Sequence, residues 1–471
     1  MDKVWSKLKG WKERNLSFAG RSVLISAVIQ AIPTYMMSCF LIPKSICSQI
    51  ERAICKFWWG GKEGNHKIHW KAKTELFKPK FSGGLGFRDM HIFNLAMLAK
   101  QGWRLHVYPN SLLSQCLKAK YYPHSDVLQA QGGNTPSFTW RSIQHALWIL
   151  NKGRCWKIGS ESSVNIWKDN WLPQQNGYKI LTPKDNHRPT LVCDLIKHQP
   201  TIAWDSDIIN NTFLPFEGSL IKQLPLTQET MEDQLMWPHT IEGYYTVKSG
   251  YNIIKHWQNS SNCGTANVNP QNLIWKKLWS IPTIPRHKAL LWRIINHSIP
   301  VRSALSHRGV PCPILCPRCL SKEETIDHLF RDCDRARRVW FGSSLSINFS
   351  QNQGSFTDWL LYSISTLKEE DLCHLTAIIY SIWFARNKLV FDNIDTEDKD
   401  IIDKSLSSML DYQKANLSPY SQEHGNNQQN NKINHNNRYS RPNRHVHHRS
   451  EHNNKWKKPS SGKIRLTAMQ T

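Results

Sequence analysis

The sequence predicts an α+β fold that is mainly helical and divided into several small units, with a disordered basic tail at its C-terminal end. Three observations carry this prediction. Apolar residues recur at helical spacing in the first hundred residues and again beyond residue 273. Between residues 137 and 260, short apolar runs alternate with turn residues, which is typical of short strands. From residue 421 onward almost nothing apolar remains, so this segment cannot bury enough surface to offset chain entropy.

The bulk composition points to a polyanionic partner. The 471 residues carry a formal net charge of +25 and include 21 Trp, so nucleic acid is the first candidate and an anionic membrane surface the second. A solvated basic face is the plain alternative. Twelve Cys without a secretory signal predict reduced thiols in the nucleus or cytoplasm. The composition makes no prediction about oligomeric state.

The first 110 residues are predicted to be helical. Ser17 suits the N-cap of a helix, and Ile46, Ile50, Ile54 and Phe57 fall on one face of a helix over 45–59. The uncharged run 23–42 is long enough to cross a bilayer. Pro33 lies in its middle and would break a helix, so we expect two buried helices and no membrane span.

A glycine-rich segment, residues 80–87, precedes a predicted helix over 93–106. One interpretation is a loop that cradles phosphate. The segment lacks the preceding strand and the Gly-Lys-Ser/Thr ending that such a loop requires. We therefore predict a structural turn.

Residues 111–258 are predicted to form a Trp-rich mixed α/β region, with β character at 164–167 and 244–247. The polar segment 259–272 is typical of a linker. Helical spacing returns around Trp275 and Leu290 and continues over 359–391. The segment 421–471 holds ten Lys and Arg against two Glu, and we predict that it is disordered.

One group of residues has the pattern of a metal site. Cys316-Pro-Arg-Cys319 is followed by His328 and Cys333. A Cys-x2-Cys turn presents two thiolates to one ion, and a His and a Cys from the next element complete a tetrahedron. The spacing therefore predicts structural Zn²⁺. Cys312 is a second-choice ligand, and four ordinary buried residues or a redox pair are the alternatives.

Basic residues on both sides of this group are candidates for phosphate contact, although a solvated face is the commoner fate of such residues. The predicted nucleic-acid-binding residues are Arg286, Lys288, Arg293, Arg331, Arg335 and Arg338.

No catalytic arrangement stands out. The sequence lacks a Gly-x-Ser-x-Gly elbow, a His-Glu-x-x-His motif and a complete P-loop. A polymerase needs paired aspartates that hold two metal ions. The carboxylates at 205, 207 and 369–371 lack a flanking hairpin and are predicted to lie on the surface.

The order of the landmarks resembles plant LINE-type (non-LTR) retrotransposon reverse transcriptases over roughly residues 3–395. The matching segments are Leu-Ser-Phe-Ala-Gly-Arg (16–21), Ala-Ile-Pro-Thr-Tyr-Met (31–36), Phe-Trp-Trp-Gly (57–60), Gly-Gly-Leu-Gly-Phe-Arg (83–88), Ile-Trp-Lys-Asp-Asn-Trp (166–171), Tyr-Thr-Val-Lys-Ser-Gly-Tyr (245–251), the Cys316/Cys319/His328/Cys333 set and Trp-Phe-Ala-Arg-Asn (383–387).

The resemblance implies a domain order. It implies a thumb-like region over 1–110, a connector over 111–258, a linker over 259–272, a reverse-transcriptase zinc-binding domain over 273–345, a helical connector over 355–395 and a tail over 421–471. The family's palm, with its aspartates, would precede residue 1, and 455–466 resembles the opening of an RNase H domain.

We therefore predict a non-catalytic fragment of such a reverse transcriptase that binds Zn²⁺ and holds RNA, DNA or their hybrid. The alternatives are polymerase or RNase H-related activity in trans with an intact element protein, and a remnant without function. In a remnant, the apolar faces of 23–42 would be exposed.

Overall fold

The computed structural model describes residues 2–12, 16–60, 67–130, 135–159, 163–173, 177–184, 188–199, 201–226, 232–260, 271–349 and 354–416. Residues Met1–Asn416 group into one compact unit. The predicted tail 421–471, with the RNase H-like segment 455–466, lies outside the described residues, as does most of the predicted linker 259–272. The predicted domain boundaries stay predictions.

Helices dominate the described residues, which confirms the mainly helical α+β class. They are α1 (Asp2–Lys12), α2 (Phe18–Leu24), α3 (Thr34–Cys39), α4 (Lys44–Trp59), α5 (Lys73–Leu76), α6 (Met90–Val107), α7 (Leu112–Tyr121), α8 (Phe138–Gln144), α9 (Leu147–Gly153), α10 (Ser206–Thr212), α11 (Pro215–Lys222), α12 (Val247–Ser260), α13 (Gln271–Ser280), α14 (Pro285–Ile295), α15 (Arg302–Ser306), α16 (Asp334–Gly342), α17 (Phe356–Thr366), α18 (Glu369–Asp392) and α19 (Asp398–Asn416). Single π-helical segments span Ile25–Ile29 and His328–Asp332.

The N-terminal helices begin and end where the sequence predicts. The Ser17 hydroxyl accepts a hydrogen bond from the Gly20 N–H at 3.1 Å and caps α2. Pro33 separates the π-helical segment from α3, so 23–42 is interrupted as expected. Helix α4 ends at Gly60, whose φ of 81° is in the left-handed region that glycine tolerates.

The apolar face of segment 23–42 is divided between core and surface. Ile25, Ile29 and Met37 are buried, whereas Val23 and Tyr35 are 62% and 78% exposed. The segment is therefore buried only in part, which corrects the expectation of two buried helices. No helix of the described residues is both long enough and apolar enough to cross a bilayer.

The glycine-rich segment is a structural turn, as predicted. A short 3-10 helix spans Lys80–Ser82, and Gly83 follows it with φ 83°. A Cβ at Gly84 would overlap the backbone carbonyl of Lys78, so only glycine fits there. The turn leads into α6, where the Asp89 carboxylate caps the Ile92 N–H at 3.0 Å.

The β structure is short and antiparallel. Strand β1 (Cys155–Lys157) pairs with β4 (Gln234–Met236), and β2 (Ile196–Lys197) pairs with β3 (Ala203–Trp204). The strand predicted at 164–167 is reduced to an isolated bridge between Asn165 and Leu191.

The strand predicted at 244–247 is wrong. The Ser249 N–H donates to the Thr246 hydroxyl at 3.1 Å, which satisfies a free donor of the first turn, and α12 begins at Val247. The β propensity of this run is overridden by that capping contact.

The single helix expected over 359–391 is divided into α17 and α18. Helix α17 starts earlier than predicted because the Ser355 hydroxyl caps the Asp358 N–H at 3.0 Å. Leu367 and Lys368 are extended between the helices, and acidic residues fill the first turn of α18, where the helix dipole favours negative charge.

Among the described residues the core consists of four hydrophobic clusters, and each of them contains at least one buried tryptophan. The cluster of the N-terminal helices includes Trp292 from α14, whose indole N–H donates to the Gly83 carbonyl at 2.8 Å. The largest cluster runs from α13 to α19 and contains Cys316 and Cys333. The candidate metal ligands Cys316 and Cys333 are therefore part of this hydrophobic cluster.

A close contact inside the motif 245–251 gives a test of this packing. The buried Tyr245 hydroxyl donates to the Ala96 carbonyl of α6 at 3.0 Å, and a Cβ on Gly250 would overlap the phenol ring. We expect Gly250→Ala to lower the free energy of unfolding by about 1–3 kcal/mol through overpacking. Gly10→Ala is the matched control, since nothing lies within 4 Å of a Cβ there and an exposed helical site gains about 0.5–1 kcal/mol. Equal effects of the two changes in urea denaturation would contradict this account.

Candidate metal centre

The first two cysteines lie on a tight turn, residues 315–323, which we call the cysteine turn. It is closed by a bridge between Leu315 and Glu323 and by a hydrogen bond from the Cys316 N–H to the Lys322 carbonyl at 2.7 Å. Leu320 takes a left-handed φ of 57°, and its N–H donates to the Cys316 carbonyl at 2.9 Å. This curvature brings both thiols to one side.

The other two candidate ligands flank a π-helical segment. His328 begins the segment 328–332 and Cys333 follows its end, with the Cys333 N–H donating to the His328 carbonyl at 2.8 Å. The wider π turn stacks the two residues despite their five-residue separation. Cys333 is also the N-cap of α16.

The structure brings the four predicted ligands together. Cys316, Cys319, His328 and Cys333 each offer a donor atom, and these atoms all lie within 4.8 Å of one another. The Cys319 Sγ and the His328 Nε2 are 3.3 Å apart. Cys312, the second-choice ligand, is outside this group, and its Sγ contacts the Arg302 carbonyl at 3.7 Å.

The surroundings favour a thiolate at Cys333. A hydrogen bond from the Cys316 thiol lowers the pKa of Cys333 well below its usual range, and contacts from His328 and from the N–H groups of Arg335 and Ala336 act in the same direction. The same contact raises the pKa of Cys316. A helix N-terminus is a known setting for an acidic thiol.

The surroundings also favour the thiolate form of Cys319, which lies on the more exposed side of the cluster. Burial raises the pKa of Cys319, but hydrogen bonds from the Ser321 hydroxyl and backbone outweigh it, so the net shift is downward. The hydrogen bond to Cys333 raises the pKa of His328, and its Nδ1 is buried with no partner among the described residues. A metal cation binds the deprotonated thiolate, so a lowered thiol pKa favours metal binding.

This donor set fits Zn²⁺. Three thiolates and one imidazole can fill a tetrahedral shell and leave no position for water, so an ion held here would cross-link the cysteine turn to the start of α16. Within the described parts of the chain, no other group of three or more Cys, His, Asp or Glu donors converges in this way.

A buried ion pair supports the cysteine turn. Glu324 is fully buried, and its two carboxylate oxygens accept from the Arg386 Nε and Nη2 at 2.6 Å each. The Arg302 N–H donates to the same carboxylate at 2.8 Å. Nothing local in the sequence indicates that these two residues, 62 apart, form a pair.

A second ionic cluster uses three of the basic residues near the metal centre. Asp398 accepts from Arg318, Arg335 and Arg338 at 2.9, 3.1 and 2.8 Å, and Arg335 also pairs with Asp395. These contacts tie α16 to the start of α19.

The six predicted nucleic-acid-binding residues therefore separate into two groups. Arg335 and Arg338 belong to the cluster at Asp398, Arg331 pairs with Asp332 at 2.7 Å, and Lys288 donates to the Trp279 carbonyl at 3.0 Å. Their charges serve intramolecular contacts.

Arg286 and Arg293 lie elsewhere, along one cavity beside α14. Arg286 is exposed and its guanidinium lies 4.9 Å from the Tyr380 ring. Arg293 is only 6% exposed, so the solvated face considered for it is wrong.

The acidic residues that the sequence sets aside as surface groups have local roles. Asp205 is buried and caps α10 through the Asp207 and Ile208 N–H groups at 3.0 and 3.2 Å, which corrects its predicted surface position. Residues 369–371 form the first turn of α18.

Comparisons with known proteins agree with this geometry. The family model described as zinc-binding in reverse transcriptase matches residues 245–340, which include all four candidate ligands. An Arabidopsis thaliana protein that carries the name ribonuclease H protein is 28% identical over 406 residues, covering 82% of this chain and 62% of that protein. An uncharacterized mitochondrial protein of the same plant is 42% identical over 143 residues, covering 30% of this chain and 93% of the relative. The chain thus spans less than two thirds of the longer relative.

The buried ion pair can be tested by mutation. Arg386→Met leaves the Glu324 carboxylate buried without its partner, and we expect the free energy of unfolding to fall by about 3–5 kcal/mol. Replacing both residues, Glu324→Met with Arg386→Met, should cost less than the single change. Arg338→Met is the control, because its side chain is 62% exposed and such pairs contribute about 0–1 kcal/mol. A loss for Arg386→Met no larger than the control, in urea denaturation, would refute this.

Proposed function

The chain belongs to a plant family of retrotransposon-derived proteins related to reverse transcriptase, and we propose that its own contribution is a zinc-stabilised segment that binds nucleic acid. The observation that carries this proposal is the convergence of three cysteines and one histidine within 4.8 Å, inside a match to a zinc-binding family.

Zinc in this proposal is structural. It would be held by Cys316, Cys319, His328 and Cys333, and a closed shell supplies folding free energy to a small region, not an activated water. The four residues come from two elements, the cysteine turn and the stretch from the π-helical segment to the start of α16. Loss of the ion would release the start of α16 from the cysteine turn.

Nucleic acid is the partner that the charge favours. With 61 Lys and Arg against 36 Asp and Glu, the chain attracts phosphate, and the release of counterions makes such binding dependent on salt. RNA, DNA and their hybrid share this chemistry.

The proposed function does not include catalysis. A phosphoryl-transfer site would need carboxylates that hold metal ions, whereas the donor set found in the described residues is thiol-rich and suits a closed zinc shell. The name of the ribonuclease H relative favours a second candidate, cleavage of RNA in a hybrid. A hybrid-cleavage assay of the full chain with Mg²⁺ separates the two: cleavage of the RNA strand with turnover would favour the second candidate.

The zinc assignment predicts a stoichiometry. The purified full chain should contain one zinc per molecule by mass spectrometry, and Cys316→Ser with Cys319→Ser should lose it together with thermal stability, because ligand binding is coupled to folding. Cys312→Ser is the matched control and should keep the zinc. Zinc retained by the double variant, or lost by Cys312→Ser, would show that the ligands are assigned wrongly.

If the chain binds nucleic acid through phosphate contacts, its affinity should depend on salt concentration. The full chain should bind a mixed-sequence RNA, and its affinity should fall log-linearly, by roughly 10-fold or more between about 50 and 200 mM salt, if several phosphates are neutralised. Fluorescence anisotropy across a salt titration measures this. A chain that holds zinc but binds neither RNA nor DNA at the lowest salt would refute nucleic-acid binding and leave the zinc assignment standing.

A further inference from the structure

A cavity of about 640 Å³ beside α4 is lined mainly by positive charge, and we call it the basic cavity. No Asp or Glu is present among the described residues that line it. Its cations are Arg52, Lys56, Lys67, Lys71, Lys73 and Arg308. Of these, Lys73 is paired with Glu51 at 2.6 Å.

A second cavity of about 620 Å³ adjoins the first and shares Lys67 and Trp70 with it. We call it the aromatic cavity, because rings from four segments of the chain line it. These rings are Phe18, Trp59, Trp70, Tyr380, Trp383, Phe384 and Phe391. Its described lining also contains no carboxylate, although Arg21, Arg286 and Arg293 are present.

Two of these arginines, Arg21 and Arg293, lie against the same Phe18 ring, and neither has an acidic partner among the described residues. The guanidinium carbons of Arg21 and Arg293 lie 5.2 and 4.1 Å from the centre of the Phe18 ring. Arg21 donates to the Trp58 carbonyl at 3.1 Å, and Arg293 donates twice to the Ser298 carbonyl. Burial, and then the charge of Arg21, lower the pKa of Arg293 to about 9.

Burying such a charge without a counterion is costly. The described chain supplies carbonyl oxygens to these two guanidinium groups but no carboxylate. A bound anion would supply the missing charge. The arrangement therefore has the character of an anion site that opens into an aromatic space.

We propose that the two cavities form one binding site for single-stranded nucleic acid, with phosphates along the basic cavity and an unstacked base in the aromatic cavity. This rests on the proposed function and deepens it by naming the substrate class and the place. Trp70 lies in both cavities and Arg308 lies 5.4 Å from its ring centre, so one side chain can stack on a base while its neighbour contacts the adjoining phosphate.

The shape favours a single strand over a duplex. A base can enter an aromatic recess only when it is unpaired and unstacked, and stacking on aromatic rings is how single strands are held without sequence preference. An acidic peptide would match the basic cavity but would leave the row of rings without a planar partner. RNA and DNA single strands share the chemistry that the site recognises.

The charge half of the proposal is tested on the full chain with a fluorescein-labelled single strand of about 12 nucleotides, as RNA and as DNA. Arg52→Gln, Lys56→Gln and Arg308→Gln, combined, should weaken binding roughly 10-fold or more and reduce the slope of log affinity against log salt by about 2, since each phosphate contact contributes about 0.7. The matched control removes three exposed lysines outside both cavities, Lys118→Gln, Lys157→Gln and Lys168→Gln, and should leave both quantities nearly unchanged.

The stacking half is tested with Trp70→Ala and an oligonucleotide that carries abasic positions. Loss of the ring should weaken binding of the intact strand by roughly 5- to 100-fold and have little effect on the abasic strand. Trp70→Phe, which keeps an aromatic face, should restore most of the affinity. Melting temperatures of all variants identify a change that acts through unfolding.

The outcomes separate the two proposals. Failure of the wild-type chain to bind any nucleic acid would overturn the proposed function and this site with it. Binding that both triple variants weaken equally would keep the proposed function and overturn the site. Equal effects of Trp70→Ala on intact and abasic strands would overturn the stacking. Tighter binding of a duplex, or full competition by a poly-glutamate peptide, would overturn the assignment to a single strand.

Discussion

The buried ion pair between Glu324 and Arg386 holds the C-terminal half of the structure together. One carboxylate joins the end of the cysteine turn, the start of α15 and the middle of α18, because it accepts from Arg386 twice and from the Arg302 N–H. Its desolvation is offset only while every partner remains in place. The metal ligands therefore depend on a contact with residue 386, far from them in sequence.

The metal centre is continuous with a core. Cys316 and Cys333 belong to the cluster that runs from α13 to α19, to which α18 contributes. Helix α18 also lines the aromatic cavity through Tyr380 and Trp383. Zinc binding, helix packing and the shape of the proposed nucleic-acid site thus share one element. A change that displaces α18 would affect all three.

The sequence predicted the features that depend on interactions between residues close together in the chain. Ser17 as a cap, Pro33 as a break and the spacing of the metal ligands each act within a few residues, and the structure places them as predicted. The misjudged features depend on distant partners. The burial of Arg293 depends on Phe18 from another segment, and no periodicity encodes that approach.

For the basic residues too, the sequence does not reveal which charges have partners inside the protein. The charges that lack such partners indicate where nucleic acid is expected to bind. Charges near the metal centre are largely neutralised by Asp332, Asp395 and Asp398, so proximity to a zinc module is a poor guide to phosphate contact. Net attraction depends on charge that lacks an internal counterion. In the described chain that condition is met between α4 and α14, where the two cavities gather cations and rings without a lining carboxylate. In the proposed function, the zinc-stabilised region is the scaffold that fixes α14 and α18, and the surface it supports is the proposed contact with nucleic acid.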